Sequence, residues 1–353
     1  MRDKSKSRFL VPAAVLFCIL YLFLALRPLG TELHFSPDWT TDIAQVKEQK
    51  QNDERIPFRL GQNIGYFTPD GRTVSSITFP FKASISDDWY AVYGTDSSSS
   101  AFFHSDGTPA GIINQYGFPF FYGNKIYIFL PGGSSFMQCK ETGEKLWQYE
   151  YYAPITSFAS SAGGTVAGFA DGSITSFAND GSITQQFAPG GSDYQVILGT
   201  GISKSGNLVA CVCGQHKQRF VLSEKDGNHS KILFHEFLDK EQTKQVLVKF
   251  NNNDDTVYYD YNGSLGIVDV KKLKSCRIPL EGSIIQIEES TVDSLVFILS
   301  RNNGSYTVTA LEPFNHPAGS FSYSAQSSFI QVRGDALFVG RDNKISRLTI
   351  SRK

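Results

Sequence analysis

The sequence predicts an all-β fold, a seven-bladed β-propeller closed by N- and C-terminal strands and preceded by an N-terminal transmembrane helix. Two observations carry the ring. One short, charge-poor strand recurs seven times, as WYAVYG from Trp89, IYIFL from Ile126, TVAGFA from Thr165, LVACVC from Leu208, TVYYDY from Thr256, LVFIL from Leu295 and ALFVG from Ala336. The starts fall 37, 39, 43, 48, 39 and 41 residues apart, enough for a four-stranded sheet and too little for a separate domain. Between them, turn dipeptides such as Asp171-Gly172, Asp180-Gly181 and Asn262-Gly263 supply the positive φ that tight hairpins require. A third observation carries the helix: Phe9 to Leu26 runs eighteen residues without a charge, roughly 27 Å of helix, close to a bilayer's hydrocarbon thickness.

Taken in order, residues 1–8 form a basic segment whose Arg2, Lys4, Lys6 and Arg8 stay in the cytoplasm. Residues 9–28 are read as a single-pass signal anchor in the inner membrane, since Leu24-Ala25-Leu26-Arg27-Pro28 is a poor cleavage site. The anchor contacts the lipid bilayer and sends the propeller into the periplasm or another extracytoplasmic space. Residues 29–63 form a linker in which Ser36-Pro37-Asp38 reads as a helix start, with Trp39, Ile43 and Val46 on one helical face.

The propeller is expected over residues 64–353. Its last blade shows only one strand, KISRLTI from Lys344, after ALFVG. The strand at Thr73 to Phe79 is therefore expected to complete that blade and remove the open sheet edges. IGYF, Ile64 to Phe67, has no place in a seven-blade register.

Composition excludes several functions. Hydrophobic residues at 41% and aromatics at 13% suffice for a large core. The net charge of -1 hides a basic N-terminus, and the rest of the chain is mildly acidic. Nucleic acid is not an expected partner, because no basic patch is available to displace counterions from phosphate. Cys139, Cys211, Cys213 and Cys276 could pair in three ways in an oxidising compartment. Cys211 and Cys213 lie on a core strand, where small buried cysteines are the ordinary outcome.

Cys139 to Tyr151, CKETGEKLWQYEY, resembles the repeat of pyrroloquinoline-quinone-like propellers at Thr142, Gly143, Lys145, Leu146 and Trp147. In that family the Trp packs between blades. Within the group the chain most looks like the non-enzymatic BamB-type envelope propellers. The resemblance implies a scaffold that holds peptide or protein segments on its loop face, in outer-membrane protein assembly. The Trp motif is confined to one repeat.

No residue pattern points to catalysis, and no cofactor or metal is expected. A quinoprotein dehydrogenase would need a vicinal cysteine pair, which is absent. The pairs Asp87-Asp88, Asp254-Asp255 and Glu288-Glu289 fall in expected turns. The six histidines show no metal-ligand spacing, and Arg333-Gly334-Asp335 reads as a turn. The candidate partner-binding residues are aromatic: Tyr116, Phe118, Phe120, Phe121 and Tyr122, interleaved with Gly117 and Pro119. Aromatics with little charge bury large area at small entropic cost, as peptide-binding faces require. The expected function is a protein–protein interaction scaffold. The alternative is a hydrolase or small-ligand propeller with convergent acids or a metal in its central channel.

Overall fold

A computed structural model describes residues 12, 14–21, 32–48, 54–95, 98–227, 229–291 and 294–352. Eight sheets are arranged as propeller blades, one more than the recurrence of core strands predicts. Blade 8 takes its outer strand from the N-terminal side, β1 (Leu33–Asp42). Blade 1 has three strands, β2 (Ile56–Leu60), β3 (Asn63–Phe67) and β4 (Thr73–Thr78). Blade 2 holds β5 (Lys82–Ile85), β6 (Trp89–Tyr93), β7 (Ser100–His104) and β8 (Pro109–Ile113). Blade 3 holds β9 (Phe118–Tyr122), β10 (Lys125–Phe129), β11 (Ser135–Cys139) and β12 (Lys145–Glu150). Blade 4 holds β13 (Ile155–Ser161), β14 (Gly164–Phe169), β15 (Ile174–Phe177) and β16 (Ile183–Phe187). Blade 5 holds β17 (Tyr194–Ile202), β18 (Leu208–Gln215), β19 (Arg219–Asp226) and β20 (His229–Phe237). Blade 6 holds β21 (Val248–Phe250), β22 (Thr256–Asp260), β23 (Ser264–Asp269) and β24 (Lys274–Pro279). Blade 7 holds β25 (Ser283–Glu289), β26 (Val296–Asn302), β27 (Ser305–Glu312) and β28 (His316–Ser324). Blade 8 adds β29 (Ser328–Arg333), β30 (Ala336–Arg341) and β31 (Lys344–Arg352) to β1.

The second strand of each blade is sandwiched between neighbouring blades, so it is apolar on both faces. This explains the recurrent runs: β14 is buried throughout, and β10, β22 and β30 at all but one position. The unplaced IGYF is the same element of an extra blade, β3, whose Ile64, Tyr66 and Phe67 are fully buried. Thr73 to Phe79 does not complete the last blade, because β4 pairs with β3.

The closing strand is β1, paired antiparallel with β31 from Leu33↔Arg352 to Asp42↔Lys344. Ser36-Pro37-Asp38 is therefore strand and not a helix start. Pro37, which has no N–H to donate, sits at a register shift of that pairing.

The membrane anchor is also corrected. The described helical residues are 12 and 14–21, the latter about 12 Å at 1.5 Å per residue. Among the described residues no helix is long and apolar enough to cross a membrane. The basic segment 1–8 and the remainder of 9–28, except residue 12, lie outside the described residues. An inner-membrane, single-pass placement accordingly loses its support.

Two tryptophans clasp neighbouring blades in the same way. Trp147 of β12 lies against Gly181 in the β15–β16 turn and donates its indole N–H to Asn179 O at 3.2 Å. Trp39 of β1 lies against Gly71 in the β3–β4 turn and donates to Pro69 O at 3.2 Å. Both glycines have positive φ, +85° and +88°, and a Cβ on either would meet the indole within 3 Å. The cysteines are free: Cys139, Cys211 and Cys213 are buried and Cys276 is exposed. Burial pushes the Cys139 thiol up to about 11, so it stays protonated and inert.

Candidate functional site

Of the aromatic segment expected to bind a partner, Phe118 to Tyr122 form β9, the inner strand of blade 3. Period-2 alternation sets Phe121 on one face and Phe118, Phe120 and Tyr122 on the other, and at the start of the strand Phe118 departs from its face-mates by packing on blade 2. Phe121 is 5% exposed, between Trp89 and Phe102 at ring distances of 6.3 and 6.1 Å. Phe118 is half-buried against Tyr93, with the Lys82 ammonium 4.2 Å from its ring centre. These two belong to the packing between blades 2 and 3. Phe120 and Tyr122 point away from that packing, with rings 6.4 Å apart, and each lines a cavity.

The first cavity, about 420 Å³, is walled by Phe120, Phe129, Ile155, Phe158, Leu198 and Val246. Phe120 meets Phe158 edge-on at 6.0 Å, and Phe158 meets Phe129 edge-on at 4.9 Å. Polar atoms at its margin are engaged: the Gln245 amide donates to Thr156 O, and the Ser157 and Thr200 hydroxyls share a 2.8 Å hydrogen bond. The second cavity, about 260 Å³, lies further along the same strands. Its wall includes Tyr122, Ser161, Ile202, Lys204, Lys249 and Asn252. Both cavities are thus built by the inner strands of blades 3 to 6 along the central channel, apolar where those strands begin and polar where they end.

Tyr116 lies outside the channel, in the connection from β8 to β9, and is 58% exposed. The next outer-to-inner connection carries exposed Tyr152, at 80%, and the one after it leads into exposed Tyr194, at 63%, the first residue of β17. Such connections emerge on one face of a propeller, the face at which the inner strands begin. The Tyr152 hydroxyl donates to Asp171 Oδ2 at 2.6 Å, and its ring centre is 4.3 Å from that of Tyr151. Tyr194 faces His216 at 5.9 Å. Neither Tyr194 nor the wall residues Leu198 and Val246 stood out in the sequence, since single apolar residues at strand starts carry no local signal.

Asp87-Asp88 and Asp254-Asp255 lie in turns as expected, whereas Glu288-Glu289 ends strand β25, and one carboxylate of each pair ties its blade to another. Asp254 accepts the N–H groups of Lys204 and Ser205 at 2.6 and 2.9 Å. Glu289 accepts the Asn252 N–H at 3.0 Å, and Asp87 pairs with Arg333 at 2.9 Å. Burial, with Asp87 and Glu141 nearby, raises the Asp88 carboxyl above its ordinary value. Among the described residues no group of three His, Cys, Asp or Glu side chains could hold a metal ion. Burial and the Glu288 carboxylate raise the Tyr122 hydroxyl, which therefore remains a hydrogen-bond donor at neutral pH.

A family model described as a beta-propeller protein matches residues 1–353, so the chain belongs to that family. An uncharacterized protein of Treponema pallidum (strain Nichols) is 28% identical over 362 residues, covering 99% of this chain and 96% of the relative. Among solved structures, BamB from Moraxella catarrhalis superposes with a TM-score of 0.61 at 12% identity, covering 90% of this chain and 100% of BamB. The WD40 domain of Toxoplasma gondii coronin gives 0.55 at 10% identity, covering 92% and 88%. At these identities the structural likeness is one of fold.

Proposed function

We propose that this beta-propeller protein is a non-catalytic interaction platform that holds an extended, apolar segment of a partner protein at the face where its inner strands begin. The observation that carries this reading is the apolar cavity around Phe120, on the face that presents Tyr116, Tyr152 and Tyr194. A fixed apolar pocket surrounded by rigid aromatic side chains suits a segment with one or two large apolar anchors. The linings of the two cavities carry lysine, hydroxyl, amide and apolar groups but no Asp, Glu or His, which supports binding over hydrolysis, a reaction that needs a placed acid–base pair. The resemblance to BamB-type propellers extends the proposal to an accessory role in protein assembly at the cell envelope. The pyrroloquinoline-quinone-like character rests on Cys139 to Tyr151 alone and adds no cofactor to the proposal.

The test is photo-crosslinking in cells from a benzoylphenylalanine placed at Tyr116 or Tyr152, with a control placed at exposed Leu273 in the outer part of blade 6. A discrete protein adduct at the first two positions and none at the third is the expected result. Equal labelling at all three sites would remove the assignment of this face.

A further inference from the structure

The polar cavity beyond Tyr122 has a chemistry of its own. Tyr122 is two residues from Phe120 on the same face of β9, so the two cavities adjoin along one strand. The wall of β13 passes from Phe158 in the apolar cavity to Ser161 in the polar one. From Ile155 to Ser161 is roughly 20 Å of strand at about 3.3 Å per residue, the length of an extended segment of about six residues.

Three hydrogen-bonding groups at the polar end have no partner among the described residues: the Tyr122 hydroxyl, the Lys204 ammonium and the Asn252 side-chain amide. The ammonium can only donate, and the hydroxyl and the amide can each donate as well as accept, so the three together can offer hydrogen bonds to one anion. Nearby carboxylates are occupied, Asp254 by two backbone N–H groups and Asp255 by the Asn251 amide at 2.6 Å. Glu289 takes a backbone N–H from Asn252 at Oε2, while its Oε1 is buried without a hydrogen-bond partner among the described residues. Lys249, the other cation here, donates to Ile287 O. Glu288 is the acid nearest Tyr122 from the opposite wall, and it accepts the Gln286 amide at 3.0 Å.

Resting on the peptide-holding role proposed above, we propose that the channel selects segments in which apolar side chains are followed by a carboxylate. The apolar groups occupy the cavity around Phe120, and the carboxylate takes hydrogen bonds from Tyr122, Lys204 and Asn252. Either a C-terminal carboxylate or an Asp or Glu side chain supplies that chemistry.

The experiment uses the full chain and three pools of fluorescent hexapeptides with randomised apolar first halves. One pool ends in a free carboxylate, one in a carboxamide, and one in a carboxamide preceded by Asp or Glu. Retention of the first or third pool about tenfold or more above the second is expected, as for hydrogen bonds to a charged group. The pool retained identifies the source of the carboxylate. Tyr122→Phe combined with Lys204→Met, with an unchanged melting temperature, should abolish the preference while leaving apolar binding intact, and Phe120→Ala should weaken all pools. Equal retention of the three pools would overturn the carboxylate site and leave the platform standing. Retention of none would overturn both.

Discussion

Trp39 and Trp147 perform one task at two junctions, and the junctions differ in how the chain reaches them. Each indole covers the glycine of a tight turn in the next blade and donates to the carbonyl just before that turn's aspartate. Around Trp147 the contact is one part of a dense aromatic seam, with Phe136 edge-on at 5.5 Å and Phe177 stacked at 5.3 Å. Around Trp39 the neighbours are Phe67 and Phe338, at 6.4 and 5.9 Å. The seam between blades 3 and 4 joins sheets that are each continuous in sequence. The Trp39 junction joins blade 1 to a sheet that exists only once β1 has met β31. The same side-chain contact is therefore local reinforcement in one place and part of ring closure in the other.

Removing the closing strand should give the largest difference. A chain beginning at residue 43 leaves the β31 edge unpaired and uncovers the cluster to which Leu33 and Phe35 belong. It is expected to lose cooperative unfolding and to aggregate, as open edges do. A sharp, two-state urea transition in this truncation would break the comparison.

The single substitutions Trp39→Ala and Trp147→Ala come next. Each should lower stability by about 2–4 kcal/mol, somewhat below the usual range for a fully buried aromatic because both rings are partly exposed. Hydrogen exchange should separate them. Trp39→Ala should accelerate exchange across β1 and β31, whereas Trp147→Ala should affect β12 and the β15–β16 turn. Identical exchange maps would show that closure has no special status.

The smallest effect is one of pH. Asn179, whose carbonyl accepts the Trp147 indole, also takes a 2.6 Å hydrogen bond through its side chain from Lys125, a buried lysine whose partners are all uncharged. Burial holds its ammonium at about 8, below the ordinary 10.5. The native state thus disfavours the proton that the unfolded chain keeps. Stability should rise as pH climbs from about 8 toward 10.5, and Lys125→Met should flatten that rise. At the Trp39 junction the fold favours the charged form instead, and stability again rises with pH, now in an acidic window. Asp70 is held below its ordinary value by the Thr68 hydroxyl, with Arg72 at 2.9 Å. Its contribution is complete above the ordinary 3.8 and fades as pH falls through the lower folded value. Urea midpoints at pH 7 and 10 for the wild type and Lys125→Met check the first case. Equal slopes would remove the lysine from the seam's energetics.

Legibility followed local continuity. The second strands of blades 2 to 8 were visible because burial on both faces makes an apolar run. Blade 1 was missed because β3 carries Gly65 in its middle and the blade has three strands. Ile64 therefore precedes Trp89 by only 25 residues, outside the spacing of the other seven. Trp147 stood out because its own Thr-Gly turn precedes it. Trp39 did not, since its strand lies at the far end of the chain from its sheet, and a proline in a polar stretch imitates a helix start. Phe120 and Tyr122 were found by composition. Their separation from Phe118 and Phe121 depends on which blade each faces, and their cavities need wall residues from three other blades.

Closure also sets a clock for synthesis. Thr40 and Ser346, hydrogen-bonded at 2.9 Å across the closing pair, are 306 residues apart in sequence. At about 5–20 residues per second, β1 leaves the ribosome roughly 15–60 s before the strand it must pair with exists. Throughout that interval Leu33, Phe35 and Trp39 have no native partner on β31, and the seven sheets made meanwhile can stack only as an open arc. The nascent chain is thus a natural client for a holding chaperone, and the native ring cannot close before β31 is made.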